Sequence, residues 1–297
     1  MAFTAQDVKK LRELTGCGMM DCKKALTEAD GDMDQAVEFL REKGLATAAK
    51  KAGRIASEGI VNVYMTDDKK VAVLVEVNSE TDFAAKNSEF RGFVEDVSKI
   101  VAEKNPADVE ALKAEKYVDG AQTVGDALTA LIAKVGENMN IRRFARFEGN
   151  VCTYSHGEGR IGVIVKAENA LDGDAYEAAR DVAMQIAAIN PLYLSKDTVP
   201  AEDVEKEKHI IIAQIKEDPK NASKPDNIIE KMVGGKINKF YEQNCLLQQE
   251  FVKDSDMKVE KYLDSKGVKL VDFVRFEKGE GLAKKEENFA DEVASMI

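Results

Sequence analysis

Two glycine-rich runs, an isolated histidine and four scattered cysteines are the residues whose types invite chemistry. Gly157-Glu158-Gly159-Arg160-Ile161-Gly162 has the G-x-G-x-x-G spacing by which backbone amides cradle a dinucleotide pyrophosphate. That fingerprint follows a strand and opens a helix, whereas these glycines lead into a strand-like valine run, so the context argues against a nucleotide. Gly234-Gly235-Lys236-Ile237 imitates the end of a phosphate loop. Ile237 stands where a Ser or Thr would hold magnesium, and Glu230 where the first glycine belongs. The chain therefore shows no nucleotide pocket and no cofactor motif of its own. Cys17, Cys22, Cys152 and Cys245 form no C-x-x-C pair, and no second pair answers Cys17-x4-Cys22, so reduced thiols without a metal are expected. His156 is open to three readings: general base, turn residue or contact residue. No nucleophile pairs with it in the sequence.

The remaining candidate is an acid beside a bulky aromatic, Asp82-Phe83, inside the run Glu76-Val77-Asn78-Ser79-Glu80-Thr81-Asp82-Phe83-Ala84-Ala85-Lys86-Asn87. Val71, Val73, Val75 and Val77 alternate before it, the pattern of a half-buried strand. Phe90, Phe93, Val94, Val97 and Val101 follow at helical spacing, predicting a helix over about 82–103. Thr81 suits the cap of that helix, and Asp82 in its first turn suits the positive end of the dipole. On one continuous helix Phe83, seven residues before Phe90, joins the buried stripe. Turned outward, it is an apolar contact for a partner. The residues alone leave both readings open.

The elements around these candidates order into an α+β chain. Residues 1–54 read as a three-helix unit with linker. Thr4 with Asp7 starts the first helix, Met19, Cys22, Ala25 and Leu26 stripe the second, and Asp32 with Gln35 starts a third that Gly44 closes. Met19 lies on the inward stripe and Met20 off it. An internal repeat follows: Phe144-Ala145-Arg146-Phe147-Glu148 recurs as Phe273-Val274-Arg275-Phe276-Glu277. Each copy follows a helix, and each half opens with a valine-rich strand, Val71–Val77 or Ile161–Val165, feeding a long helix. The expectation is two copies of a small antiparallel sheet with helices on one face, lying side by side, over 55–149 and 150–279. An antiparallel helical hairpin is inserted at about 200–250, and Phe289 and Val293 mark a docking helix in a C-terminal module over 280–297.

Composition narrows the function classes. At 297 residues the chain has room for two or three domains with cores. A net charge of −11 makes it a poor general binder of phosphate backbones, so no nucleic acid is expected as a partner. The N-terminus lacks an apolar signal core and no run is long enough to span a bilayer, which leaves no membrane role and makes cytoplasm the expected location.

The Glu76–Asn87 run resembles, almost letter for letter, a signature of the bacterial elongation factor Ts family. Leu11-Arg12-Glu13-Leu14-Thr15-Gly16-Cys17-Gly18-Met19-Met20-Asp21-Cys22-Lys23-Lys24-Ala25-Leu26 resembles that family's N-terminal signature. The likeness continues through His156-Gly157 and Phe276-Glu277-Lys278-Gly279-Glu280-Gly281, and so covers essentially the whole chain. It implies a ubiquitin-associated-like fold for the N-terminal unit and a coiled-coil hairpin insertion. It implies guanine nucleotide exchange on elongation factor Tu, bound with GDP or free of nucleotide, with no covalent chemistry and no cofactor. Thr81, Asp82, Phe83 and Ala84 then form the wedge that disturbs the partner's magnesium site, and Met19, Met20, His156 and Gly157 add contacts. Where the family usually has Val, this chain has Ala84, which is expected to trim apolar contact by about 1 kcal/mol at most.

Overall fold

A computed structural model of the chain describes residues 3–15, 17–118, 120–218 and 224–283. The chain begins with helices α1 (Ala5–Thr15), α2 (Met19–Glu28) and α3 (Met33–Lys51). The Thr4 amide donates to Asp7 Oδ2 at 2.7 Å and the Asp7 amide to Thr4 Oγ1 at 3.3 Å, a reciprocal cap. Asp32 caps α3 by accepting from the Gln35 amide at 2.9 Å. Val8, Leu11, Cys22, Ala25, Leu26, Ala36 and Leu40 close into a small core of their own.

Two three-stranded antiparallel sheets follow. The first combines β1 (Glu58–Met65), β2 (Val71–Ser79) and β3 (Met139–Glu148) in the order β1-β2-β3. Between β2 and β3 come α4 (Asp82–Lys86), α5 (Ser88–Lys104), α6 (Val109–Ala114) and α7 (Val124–Val135). The second sheet has β4 (Asn150–His156), β5 (Ile161–Ala167) and β8 (Leu270–Glu277) in the order β4-β5-β8. Its long connection holds α8 (Asp174–Ile189), α9 (Ala201–Glu217), α10 (Asp226–Asn244), the short hairpin β6 (Glu250–Phe251) and β7 (Asp254–Lys258), and α11 (Val259–Ser265). Helices α9 and α10 pair through Ile211, Ile215, Ile229, Val233 and Ile237. Gly234-Gly235-Lys236 lies inside α10 and forms no loop. Among the described residues no helix is long and apolar enough to cross a membrane. The docking helix expected at Phe289 and Val293 lies outside them.

The repeat occupies equivalent places in the two sheets. Val75 faces Phe144 and Val73 faces Arg146; in the second sheet Val165 faces Phe273 and Val163 faces Arg275. Each arginine reaches a carbonyl in the last turn of its half's long helix. Arg146 Nε donates to the Ala102 oxygen at 3.0 Å in α5, and Arg275 Nε to the Ala187 oxygen at 3.4 Å in α8. Each also pairs with the glutamate two residues on, Glu148 at 2.8 Å and Glu277 at 2.7 Å. A cation there answers the helix's unsatisfied C-terminal carbonyls, which gives the repeat's Arg-x-Glu spacing a structural reason.

Several expectations are corrected. The valine runs do not open their halves: β1 and β4 do, and β2 and β5 take the centre of each sheet. Strand β2 is buried on both faces and not half-buried. Val73, Val75 and Val77 face the helical layer, while Ala72 and Leu74 pack with Val151, Ile164 and Phe276 of the second half. The two sheets therefore pack on each other through these residues, with the helices of each half on its other face. A Cβ on Gly162 would meet Val61 and Leu74 side chains at 2.8 and 2.9 Å, so this glycine is present for the approach of the two sheets. Helix α3 does not end at Gly44 but runs on to Lys51. Gly44 is buried against Thr129 and Ala133 of α7, where a Cβ would sit at 3.7–3.9 Å, and that packing outweighs its helix-breaking tendency. The helix expected over 82–103 is two helices, parted at Asn87.

Glu76 is the one acid in β2, and it is fully buried. Its carboxylate accepts from Arg142 at 3.0 Å, Arg143 at 2.6 Å, Asn78 at 3.1 Å and the Gly279 amide at 2.8 Å. Desolvation pushes its pKa up, but the Gly279 and Arg143 hydrogen bonds outweigh burial and hold the carboxyl below its usual range. A depressed pKa adds stability above the unfolded value of about 4.3, and that stability is lost as pH falls through the folded value. Glu76→Ala should cost about 3–5 kcal/mol in urea unfolding at pH 7, because two arginines lose their buried partner. The wild type should lose part of that margin below about pH 4 while the variant does not.

Candidate functional site

Helix α4 is a single turn, and its setting decides what it shows to solvent. Asn87, at φ −62° and ψ 132°, ends α4 and begins α5, its side chain accepting from the Glu89 amide at 2.8 Å. Arg91 Nε donates to the Ala85 oxygen at 3.2 Å and satisfies the end of the turn. The extended Asn87 breaks the helical phase. Phe90 is fully buried, whereas Phe83 is 79% exposed. This removes the core reading of Phe83: it is not a core residue of the free protein.

Thr81 caps α4, its hydroxyl accepting from the Ala84 amide at 3.2 Å. Asp82 pairs with Lys86 at 2.6 Å across one turn, and this hydrogen bond above all holds the Asp82 carboxyl below its usual range. Lys86 Nζ also lies 5.8 Å from the Phe83 ring centroid. Ala84 is only 4% exposed and packs, with Ala85, into the core beneath β1 and β2. Its missing methyls therefore concern the seat of α4, and the turn presents Asp82, Phe83 and Lys86 outward.

The β4–β5 turn sits on the same side of the molecule. Gly157, Glu158 and Gly159 all have positive φ, at 61°, 53° and 89°. The Val61 amide of β1 donates to the Gly159 oxygen at 2.8 Å, and the Lys278 amide to the Arg160 oxygen at 2.8 Å. Lys278 in turn pairs with Glu58. The turn is thus stitched to the first sheet, and the charges of α4 register it: Lys278 lowers the Asp82 pKa and Glu158 raises that of Lys86, each behind the larger Asp82–Lys86 hydrogen bond. His156 is exposed, its Nδ1 3.1 Å from the Tyr154 hydroxyl. Cys152, on the same strand, is buried, and burial pushes its thiol up to about 11, which removes it as a nucleophile near neutral pH.

Met19 and Met20 stand at the start of α2, 46% and 74% exposed. Met19, assigned to the core by its stripe, lies outside it because the helix has only just begun there; Cys22, Ala25 and Leu26 fill the interior. Gly18 and Asp21 face Ala133 and Lys134 of α7 across an open cleft of about 510 Å³. Lys134 pairs with Glu89 of α5 at 2.7 Å, which links this end of the three-helix unit to the segment beside α4. Glu158 of the β4–β5 turn and Lys278 thus lie within electrostatic reach of α4, His156 lines a cleft with Met184, Ala187 and Ala188 of α8, and the Met19–Met20 end is linked to the α4 region through α7.

Sequence reasoning missed the residues that hold the site. Glu137, just after α7, accepts from the Thr81 amide at 3.0 Å and from its hydroxyl at 2.6 Å. Glu80 accepts from the Asn138 amide at 2.6 Å. The members of these pairs are 56 and 58 residues apart, and no local pattern joins them. Among the described residues no group of three or more His, Cys, Asp or Glu is placed to hold a metal. An exposed aromatic contributes little to folding, so Phe83→Ala should leave the unfolding free energy within about 0.5 kcal/mol. A core phenylalanine would cost about 3–5 kcal/mol; chemical denaturation distinguishes the two.

Comparison with known proteins adds the following. Residues 80–280 match the family described as elongation factor TS. Elongation factor Ts of Clostridium kluyveri is 53% identical over 99% of both chains. Elongation factor Ts of Clostridium perfringens is 54% identical over 99% of both. That of Clostridium novyi is 52% identical over 99% of this chain and 98% of its own.

Proposed function

The chain belongs to the elongation factor Ts family, and from that premise we propose that it is the guanine nucleotide exchange factor of elongation factor Tu in translation elongation. The observation that carries the reading is the exposed Phe83 beside Asp82 on a helical turn whose backbone is fixed at both ends.

Such a factor performs no covalent chemistry. It binds the GDP-bound partner, and binds the nucleotide-free form best. By linkage it then weakens nucleotide binding by the factor that nucleotide weakens its own. Each tenfold of acceleration needs about 1.4 kcal/mol of contact made only when nucleotide has left. Full burial of one large apolar side chain contributes about 1.5–3 kcal/mol, so Phe83 alone can account for roughly one to two orders of magnitude. Phe83 enters between elements of the partner that position the magnesium ion and phosphates. Asp82 leaves Lys86 to redirect polar groups there, and an exposed ion pair of this kind costs little to open. Met19, Met20, His156 and Gly157 supply affinity around the wedge. The three helices before residue 54 serve as a ubiquitin-associated-like docking unit, and the α9–α10 hairpin as the family's coiled-coil insertion. The site of action is the cytoplasm.

Release of fluorescent GDP from purified elongation factor Tu tests the proposal. Sub-stoichiometric wild type should accelerate release, and Phe83→Ala should cut that acceleration by at least about tenfold. Asp82→Ala should reduce it by a smaller factor. Acceleration untouched by both substitutions would remove the wedge, and none from the folded wild type would remove exchange itself.

A further inference from the structure

We propose that Glu137 is a positioning residue for α4, acting through Thr81 on the direction in which Phe83 is presented. The proposal rests on the exchange reading above. Helix α4 has five residues, too few to hold a helical turn without outside support. Its buried side offers only the methyl groups of Ala84 and Ala85, which seat the turn but give little resistance to rotation. Arg91 holds the far end of the turn through the Ala85 oxygen at 3.2 Å, and the N-terminal end that sets the direction of Phe83 needs a hold of its own.

There the Thr81 hydroxyl has two duties. It accepts from the Ala84 amide at 3.2 Å, and it donates to Glu137 Oε1 at 2.6 Å. The second bond directs the hydroxyl hydrogen away from Ala84 and leaves a lone pair for the cap. Glu137 Oε2 holds the Thr81 amide itself at 3.0 Å, so one carboxylate fixes both the backbone and the side chain of the capping residue. Hydrogen bonds to a charged group are about twice as strong as neutral ones, which suits a hold on a short element.

The hold is reciprocal. The Asn138 amide donates to Glu80 at 2.6 Å, and Ser79 Oγ donates to the Thr81 oxygen at 2.9 Å. Asn138 Nδ2 donates to the Arg54 oxygen at 2.8 Å, and Lys51 Nζ to the Gly136 oxygen. Residues 79–81 and 136–138 therefore clasp each other, and the end of α3 is tied to the same clasp. Gly136, left-handed at φ 83°, ends α7 and turns the chain so that Glu137 meets Thr81.

GDP release from elongation factor Tu at increasing concentrations of the full chain separates a maximal rate from a half-saturating concentration. Glu137→Ala should lower the maximal rate by about ten- to a hundredfold, the scale of a misplaced group, with the half-saturating concentration changed less than about threefold. Glu137→Gln, which keeps the shape and one acceptor, should fall between and serves if the alanine variant does not fold. In a Phe83→Ala background Glu137→Ala should add less than about twofold, since the group it aims is gone. An equal fall in that background, a change confined to the half-saturating concentration, or a maximal rate equal to wild type would each overturn the positioning role. No acceleration by the wild type would instead overturn the exchange reading on which it rests.

Discussion

The Glu76 carboxylate is sealed between two stacked sheets, and much of the molecule is arranged to keep it charged there. A lone carboxylate in such a place would be too costly to ionise; four donors make the site tolerable. Three of the donors come from the first half, on β2 and β3. The fourth, the Gly279 amide, comes from the second half just after β8. Arg143, holding Glu76, also lies 4.2 Å from the Phe276 ring centroid and reaches Glu280 at 3.2 Å. The relative position of the two halves is therefore specified by directional bonds as well as by the apolar packing of Leu74 against Ile164 and Phe276. Apolar packing alone tolerates sliding; a carboxylate with fixed donors does not.

That fixed register has a consequence for the exposed surface. Glu76 lies six residues before Asp82 on the same strand-to-helix run. The Gly279 segment that meets it carries Lys278, which pairs with Glu58 on β1 and whose amide donates to the Arg160 oxygen at the end of the β4–β5 turn. The buried acid thus ties the strand that leads to Phe83 to the segment that holds the β4–β5 turn. A rigid scaffold behind an exposed side chain keeps that side chain preorganised.

The chain departs from its local pattern where it displays Phe83. Helical periodicity runs without interruption from Phe83 to Val101 and argues for one helix with an aromatic inside. Asn87 breaks the phase with extended backbone that both ends one helix and caps the next. An asparagine after Lys86 is compatible with a cap, yet equally with a solvent-facing helical residue, so its sequence signal was too weak to decide. Met19 misleads for a related reason: its stripe is right, but the first residue of a helix projects past the core that the rest of the stripe fills.

The sequence by itself determined the α+β class, the three N-terminal helices with their caps at Thr4 and Asp32, the doubled Phe-x-Arg-Phe-Glu strand and the helical hairpin. Each is carried by short-range periodicity or by a motif that repeats. It also marked Asp82-Phe83 and His156-Gly157 as residues of interest. Tertiary structure alone decided that β2 is covered on both faces, because nothing in an alternating strand says whether the second face meets water or another sheet. It alone decided that the glycines of the G-x-G-x-x-G run serve a turn and sheet packing, and that Thr81 is held from Glu137. Those outcomes depend on groups distant in sequence meeting at hydrogen-bond range. That is a property of the closed fold, which no window along the chain contains.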